Sequence, residues 1–216
     1  DLYPELQGLL NTVVDYIHWL KKQEKMRSMI STAVREQAEK VDRDSMTGFF
    51  TKAYLQKYLP AELTRTYVIG NQLSLLMLDV DNFKHYNDRN GHPAGDRLLL
   101  TLADILRQST REDDLLVRFG GEEFIIVLPR TSGTRAQVIA ERIRETVAST
   151  NFPYGELQPL GKVTVSLGVA VFPDHAEDLN VLVENADFAL YLAKNSGRNR
   201  VVPYAPNLRE SSELDI

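Results

Sequence analysis

Apolar residues recur at alternating three- and four-residue steps along the first 41 positions, at Leu6, Leu10, Val13, Ile17, Leu20, Val34, Ala38 and Val41, with Glu24, Arg27 and Ser31 holding the middle of the seam. Such steps place side chains on one stripe of a helix made to pair with another helix. Across the polar stretch Met26, Ile30 and Ala33 carry the stripe in a shifted register, the pattern that a coiled-coil stutter produces. The alternative is a single amphipathic helix lying on its own domain, but a segment so charged outside its seam gains little by packing flat. Asp44-Ser45-Met46-Thr47-Gly48 then ends the pattern with capping residues and a turn glycine.

Past that break the pattern predicts a helix near 51–69 interrupted at Pro60, a buried strand near 73–79, a short helix near 82–88, a turn at Asn90-Gly91 and a helix near 94–108. Strands near 115–118 and 123–128 meet across Gly120-Gly121 as a two-residue hairpin, followed by a helix near 134–149, the strand Val163 to Phe172, a helix near 178–195 and a strand near 200–204. Strand, helix, hairpin, helix, strand is the split βαβ or ferredoxin-like order (βαββαβ), with helices packed on the sheet. The expected organisation is a dimerising helix over 1–42, an α+β domain over 43–204 and a flexible polar tail over 205–216.

Charge and composition narrow the chemistry. The 216 residues carry 25 Lys+Arg against 30 Asp+Glu, a net charge of -5, which argues against a sequence-independent grip on nucleic acid polymers. Without cysteine there is no disulfide framework, thiolate zinc site or cysteine nucleophile, and the 4 histidines are too dispersed for a metal cage. A reducing, cytoplasmic setting is expected. The longest apolar runs, such as Leu75-Leu76-Met77-Leu78, fall far short of the ~20 residues that span a bilayer, so no membrane contact is expected in this segment. Because the sequence begins at Asp1, it is also readable as the cytoplasmic part of a longer, membrane-attached sensor.

The candidate chemistry gathers at one predicted strand end. Leu75 to Val80 is an apolar strand that ends in two carboxylates, Asp79 and Asp81, and Gly120-Gly121-Glu122-Glu123 puts two more acids in a hairpin turn where absent side chains let a ligand approach. In a ferredoxin-like sheet the first strand neighbours that hairpin, so Asp79 and Glu122 converge. Magnesium suits one or two carboxylates combined with substrate phosphates. A tight hairpin with solvated acids and a strand-end cap accounts for the same residues without chemistry. Lys84 lies just past the strand, and Lys194 and Arg198, four apart around Gly197, offer two cations for phosphates or for a helix C-terminus. Gly155 through Gly161-Lys162 has the wrong spacing for a phosphate loop, and Val163 stands where a hydroxyl is needed.

Several ordered motifs across residues 42–204 resemble the GGDEF-domain diguanylate cyclases: Asp79-Val80-Asp81-Asn82-Phe83-Lys84, Asn87-Asp88, Gly91-His92, Gly95-Asp96, Arg118-Phe119-Gly120-Gly121-Glu122-Glu123-Phe124, Val165 to Ala170, and Ala186 to Asn199. The lead-in Asp44-Ser45-Met46-Thr47-Gly48-Phe49-Phe50-Thr51-Lys52 departs from the family's usual D-x-L-T-G-L-x-N-R, keeping apolar packing but losing the Asn-Arg pair. The resemblance implies a palm-type, nucleotidyl-cyclase-like sheet and condensation of two GTP to cyclic di-GMP and two pyrophosphates across a homodimer paired through the N-terminal helix, downstream of a sensory domain.

By that resemblance, Asp79, Glu122 and the Val80 carbonyl hold two Mg2+ per GTP site, with Mn2+ able to substitute, and Glu122 is the candidate for activating the 3′-hydroxyl. Glu123 completes the motif, and Lys84, Lys194 and Arg198 contact phosphates beside Gly120 and Gly121. Asn87 and Asp96 match the guanine-reading positions, where an amide and a carboxylate suit the N1–H and 2-amino group that adenine lacks, and His92 lines the same pocket. Arg111-Glu112-Asp113-Asp114 matches an RxxD product-inhibition site, with Arg142 a second inhibitory arginine supplied by another subunit. Without the motif, Asn87 reads as a helix-surface residue, Asp96 as a cap, His92 as a loop histidine, and the arginines as solvated charges. A non-catalytic receptor for GTP or cyclic di-GMP and a cyclase making a mixed dinucleotide remain the rival readings.

Overall fold

The computed structural model describes residues 42–208; the pairing helix expected before residue 42 and the tail beyond 208 lie outside them. The chain divides between Arg43 and Asp44, and the unit beginning at Asp44 is built on one six-stranded sheet. Its elements are β1 (Phe50–Thr51), α1 (Lys52–Val68), β2 (Leu73–Val80), α2 (Phe83–Asn90), α3 (His92–Ser109), β3 (Leu115–Arg118), β4 (Glu123–Pro129), α4 (Gly133–Ser149), a 3-10 turn (Gly155–Leu157), β5 (Val165–Phe172), α5 (Leu179–Asn195) and β6 (Val201–Pro203). The strand order is β1-β3-β4-β2-β5-β6. Its four inner strands are mutually antiparallel and follow the ferredoxin-like order, while β1 and β6 extend the two edges in parallel.

Every residue of β2 and β5 is buried, because helices cover both faces of the sheet. Side chains alternate between faces along a strand. Leu76, Leu78 and Val80 of β2 therefore join a core made with α2, α3 and α4, whereas Leu73, Leu75 and Met77 join a second core with α1 and α5. The same alternation sends Asp79 to the α1/α5 face.

The break expected at Pro60 does not occur; α1 runs through it. A proline inside a helix removes one backbone bond and crowds the carbonyl four residues earlier. Here Gln56 and Pro60 lie on the exposed face, where water can serve that carbonyl, while Leu55, Leu59 and Leu63 anchor the opposite face in the core. Helix α1 begins where Thr51 accepts the Tyr54 N–H at 3.3 Å, and α5 begins where Asp178 accepts the Val181 N–H at 3.0 Å. Neither two-residue β1 nor the 3-10 turn is long enough to leave a period in the apolar pattern. No helix among the described residues is long and apolar enough to cross a membrane.

Helix α5 lies unusually close to β5 at Gly168. A Cβ there would run into the Ala186 carbonyl and the Leu190 N–H, backbone atoms that cannot swing aside. Gly168→Ala is expected to cost about 2 kcal/mol or more through forced separation of α5 from the sheet, read as a lowered urea midpoint with an unchanged slope.

Candidate functional site

Asp79 is the last inward-facing residue of β2, opposite Glu123 of β4 and Ser166 of β5. It is only 4% exposed, yet it carries a charge partner: the Lys194 Nζ, from the last turn of α5, lies 2.8 Å from its Oδ2. Burial pushes the Asp79 carboxyl up to about 6 despite Lys194, and the charges of Glu122 and Glu123 push it the same way. Half-buried Glu122 is also raised, by burial first and then by Glu123, with Lys194 opposing. Asp79 and Glu122 thus share one ammonium beside a third carboxylate, Glu123, and the cluster is short of positive charge.

The loop that carries Glu122 is wider than the two-residue turn its glycines suggest. Strands β3 and β4 part after Arg118 and rejoin at Glu123. The Phe119 N–H closes the loop by donating to the Glu123 carbonyl at 2.9 Å. A two-residue type I′ turn needs positive φ at both central residues, and neither Gly120 nor Gly121 adopts it. The glycines serve other ends. A Cβ on Gly120 would sit 2.5 Å from a Glu123 carboxylate oxygen, whereas one on Gly121 would meet nothing within 4 Å, so the loop stays open above Gly121.

Arg118 holds this loop to the lead-in turn. Its Nη2 donates to the Gly121 carbonyl at 2.9 Å, and its Nη1 reaches both Asp44 oxygens at 3.1 Å. Burial alone would raise the Asp44 carboxyl, but hydrogen bonds from the Thr47 hydroxyl and N–H, with the Arg118 guanidinium, hold it below the usual range. The Lys52 ammonium sits 4.1 Å from the centre of the Phe119 ring, a second contact between lead-in and loop.

The second strand-end acid is taken up by protein donors. Asp81 is buried and accepts the Thr164 and Ser166 hydroxyls, each at 2.7 Å, and the Asn199 N–H at 3.0 Å. It is an internal tie, with its lone pairs already engaged.

Helices α2 and α3 begin from the same end of the sheet. Lys84 is exposed on α2; His92 and Asp96 are exposed in the opening turns of α3. That helix starts at Gly91 with no side-chain cap, so Asp96 is not its cap. The Asn87 side-chain oxygen is buried with no protein donor. A Cβ on Gly95 would overlap this oxygen, so the glycine makes the room that Asn87 occupies. Arg198 lies beyond the end of α5, not one turn along it from Lys194: the helix stops at Asn195, and Arg198 is in left-handed backbone conformation.

Arg111, Asp114 and Arg142 are brought together elsewhere. With Arg135 they line a hollow of about 910 Å³ at the root of the β3–β4 hairpin, the end away from Glu122. Asp114 accepts the Arg111 backbone N–H at 2.8 Å, and burial raises its carboxyl. The Arg142 Nη2 donates to the Ser109 carbonyl at 2.7 Å, so within one chain Arg142 already borders the same hollow.

A family model described as diguanylate cyclase, GGDEF domain, matches residues 41–200. The chain belongs to the GGDEF-domain family of diguanylate cyclases. It is 35% identical over 197 residues to the diguanylate cyclase DgcP of Pseudomonas aeruginosa, covering 91% of this chain and 28% of that protein. It is 40% identical over 176 residues to diguanylate cyclase A of Treponema denticola, covering 79% of this chain and 46% of that one. The chain thus spans less than half the length of these curated relatives. Among solved structures, the coiled coil and GGDEF domain of DgcB from Caulobacter crescentus in complex with c-di-GMP superposes with a TM-score of 0.73 at 26% identity, over 85% of this chain and 96% of that one. The active GGEEF domain of a diguanylate cyclase from Vibrio cholerae gives 0.65 at 33% identity, over 72% and 97%.

For this GGDEF domain, the donors at the tip of β2 suit a hard divalent cation. Asp79 and Glu122 are the oxygen donors that could hold such an ion, and Lys194 now sits beside them as the positive charge. No group of three or more acidic or histidine side chains that could hold a metal occurs among the described residues. Arg118, Asp44 and Gly95 shape the site, and the sequence motifs that contain them gave them no such role; Gly95 in particular leaves no sign in charge or hydropathy.

A raised folded-state carboxyl penalises the charged fold, fully above its folded value and not at all below the unfolded one. In metal-free buffer Asp79→Asn is therefore expected to raise the urea midpoint at pH 7.5. The gain should shrink as pH falls through about 6, where Asp79 takes up its own proton; a midpoint lowered at pH 7.5 would contradict the charge deficit.

Proposed function

We propose that the chain is a diguanylate cyclase that condenses two GTP to cyclic di-GMP and two pyrophosphates. The observation that carries this reading is the meeting of Asp79, Glu122 and Lys194 above the tip of β2, with Asn87 and Asp96 on the helices that rise from the same sheet end. Asp79, Glu122 and the Val80 carbonyl would hold Mg2+, which supplies charge neutralisation to the triphosphate and to the departing pyrophosphate. Two ions per site, with Mn2+ as a substitute, fit a shell left to be completed by phosphate oxygens.

The chain's own residues do the rest. Lys84, Lys194 and Arg198 take the phosphate charge, and Lys194, one-third exposed, can leave Asp79 for a phosphate oxygen when a cation arrives. The open face of Gly121 lets the triphosphate lie against the loop. Asn87 offers an unpaired acceptor and Asp96 a second, which select the N1–H and 2-amino edge of guanine, with His92 beside them. In each bond-forming step the 3′-oxygen of one GTP attacks the α-phosphorus of the other, its proton leaves to Glu122 or water, and the bond to pyrophosphate breaks. Two such steps close the ring. One domain holds one GTP, so the reaction needs two domains face to face, and pairing through the N-terminal helix raises their effective concentration. The hollow lined by Arg111, Asp114 and Arg142 suits the guanine edges and phosphates of product as an inhibitor. A receptor role is disfavoured because all of Asp79, Glu122, Lys84, Asn87, Asp96, Lys194 and Arg198 are present.

Incubating the purified chain with GTP and Mg2+ is expected to give cyclic di-GMP by mass spectrometry, undiminished by excess ATP. Asp79→Asn and Glu122→Gln should each lower the rate at least about 100-fold. Failure to form product after enforced dimerisation and removal of bound cyclic di-GMP would favour the receptor. Gly95→Ala should raise KM for GTP about tenfold by displacing the Asn87 amide, with the urea midpoint lowered only modestly because the Asn87 amide can swing aside and the Phe83 ring has to give by a few tenths of an ångström; an unaltered KM would remove Asn87 from guanine recognition.

A further inference from the structure

Arg198 is held by a turn that cannot hold itself. Gly197, Arg198 and Asn199 have φ of 112°, 64° and 47° in succession. Glycine adopts such values freely and asparagine at small cost, but Arg198 costs about 1 kcal/mol or more there, and a conformation like this persists where its surroundings impose it. The turn is imposed from three sides. The Arg198 N–H returns to the Ala193 carbonyl at 3.1 Å, the Asn199 N–H donates to Asp81 at 3.0 Å, and the Asn199 side-chain oxygen accepts Arg144 Nη1 at 3.0 Å.

Arg144 comes from α4, 55 residues away in sequence. Its three nitrogens are all engaged: Nε on Glu141 at 2.6 Å, Nη2 near Glu145 at 3.5 Å, and Nη1 on Asn199. Its side chain is 18% exposed, far less than a solvated surface arginine. The two glutamates fix the planar fork so that one edge addresses the turn, which a lysine's single nitrogen cannot reproduce. Arg142, two residues earlier and so on the other side of the helix, faces the separate hollow.

We propose that Arg144 is a positioning residue for nucleotide binding: clamped by Glu141 and Glu145, it fixes Asn199 against buried Asp81 and thereby aims Arg198 at the phosphates. It touches no substrate itself. This rests on the reading of Arg198 as a phosphate contact. An arginine that only held α4 to the fold would weaken stability without caring whether Arg198 is present.

The test is a double-mutant cycle read by equilibrium binding of α,β-methylene-GTP with Mg2+ to the native chain, Arg144→Gln, Arg198→Ala and the double variant, with turnover of GTP by the native chain measured separately. Arg144→Gln is expected to weaken binding about tenfold and Arg198→Ala at least as much, while the double variant binds no worse than Arg198→Ala. Unchanged affinity in Arg144→Gln, or losses that multiply in the double variant, would overturn the proposal. Should Arg144→Gln not fold, Asn199→Ala removes the same bond with the glutamate pairs intact and is put through the same cycle. Analogue binding without cyclic di-GMP formation would sink the cyclase reading alone, and absence of analogue binding by the native chain would sink both.

Discussion

Burial of β2 between β4 and β5 decides what the carboxylates at its end can do. An apolar strand sealed on both faces delivers its last residues into surroundings with little water, where a carboxylate must find donors or a cation. Asp81 finds three donors and becomes a tie between β2, the approach to β5 and the turn after α5. Asp79, two residues earlier, finds one ammonium and two further carboxylates. One strand end therefore yields a satisfied acid and an under-compensated one from the same residue type, and the difference lies in the donors that each carboxylate meets.

The loop bearing Glu122 depends on a second constraint. With both glycines free of the strained values that would tighten a hairpin, the loop needs outside contacts to keep its shape. Arg118 supplies one by bridging the Gly121 carbonyl to Asp44, and Arg107 secures the same lead-in turn by donating to the Thr47 carbonyl and lying over the Phe49 ring. Thr51 and Lys52 stand where the family's usual lead-in has Asn-Arg; here Thr51 caps α1, and Lys52 covers Phe119 and so ties the lead-in to the loop.

What could be read from sequence follows from what each signal measures. The element order and sheet order were legible because β2 and β5 are continuous apolar runs and the helices keep their period. The acids of the site were legible because they end such a run or follow paired glycines. Pro60 misled because a residue type reports a local cost, while the burial of Leu55, Leu59 and Leu63 that outweighs it is tertiary. Gly120-Gly121 misled because a dipeptide permits a turn without requiring it. The spacing of Lys194 and Arg198 suggested one helix face, but α5 ends between them. Arg144 and Asn199 meet across 55 residues, a distance over which no local pattern operates.

The charge deficit at the tip of β2 links fold and function. A fully compensated cluster, with one cation for each acid, would be more stable and would hold nothing. Here Lys194 serves two acids with a third beside them, and it is the most movable part of the group, on a long stem and one-third exposed, while Asp79 is fixed in the strand. The mobile charge is thus the protein's own and the fixed charges are those that need a partner from outside. A cation held by Asp79 and Glu122, as proposed, would relieve their raised carboxyls and free the ammonium for an anionic ligand beside it. The arrangement favours a cation and a polyphosphate arriving together over either alone, because each removes a cost that the other would otherwise meet.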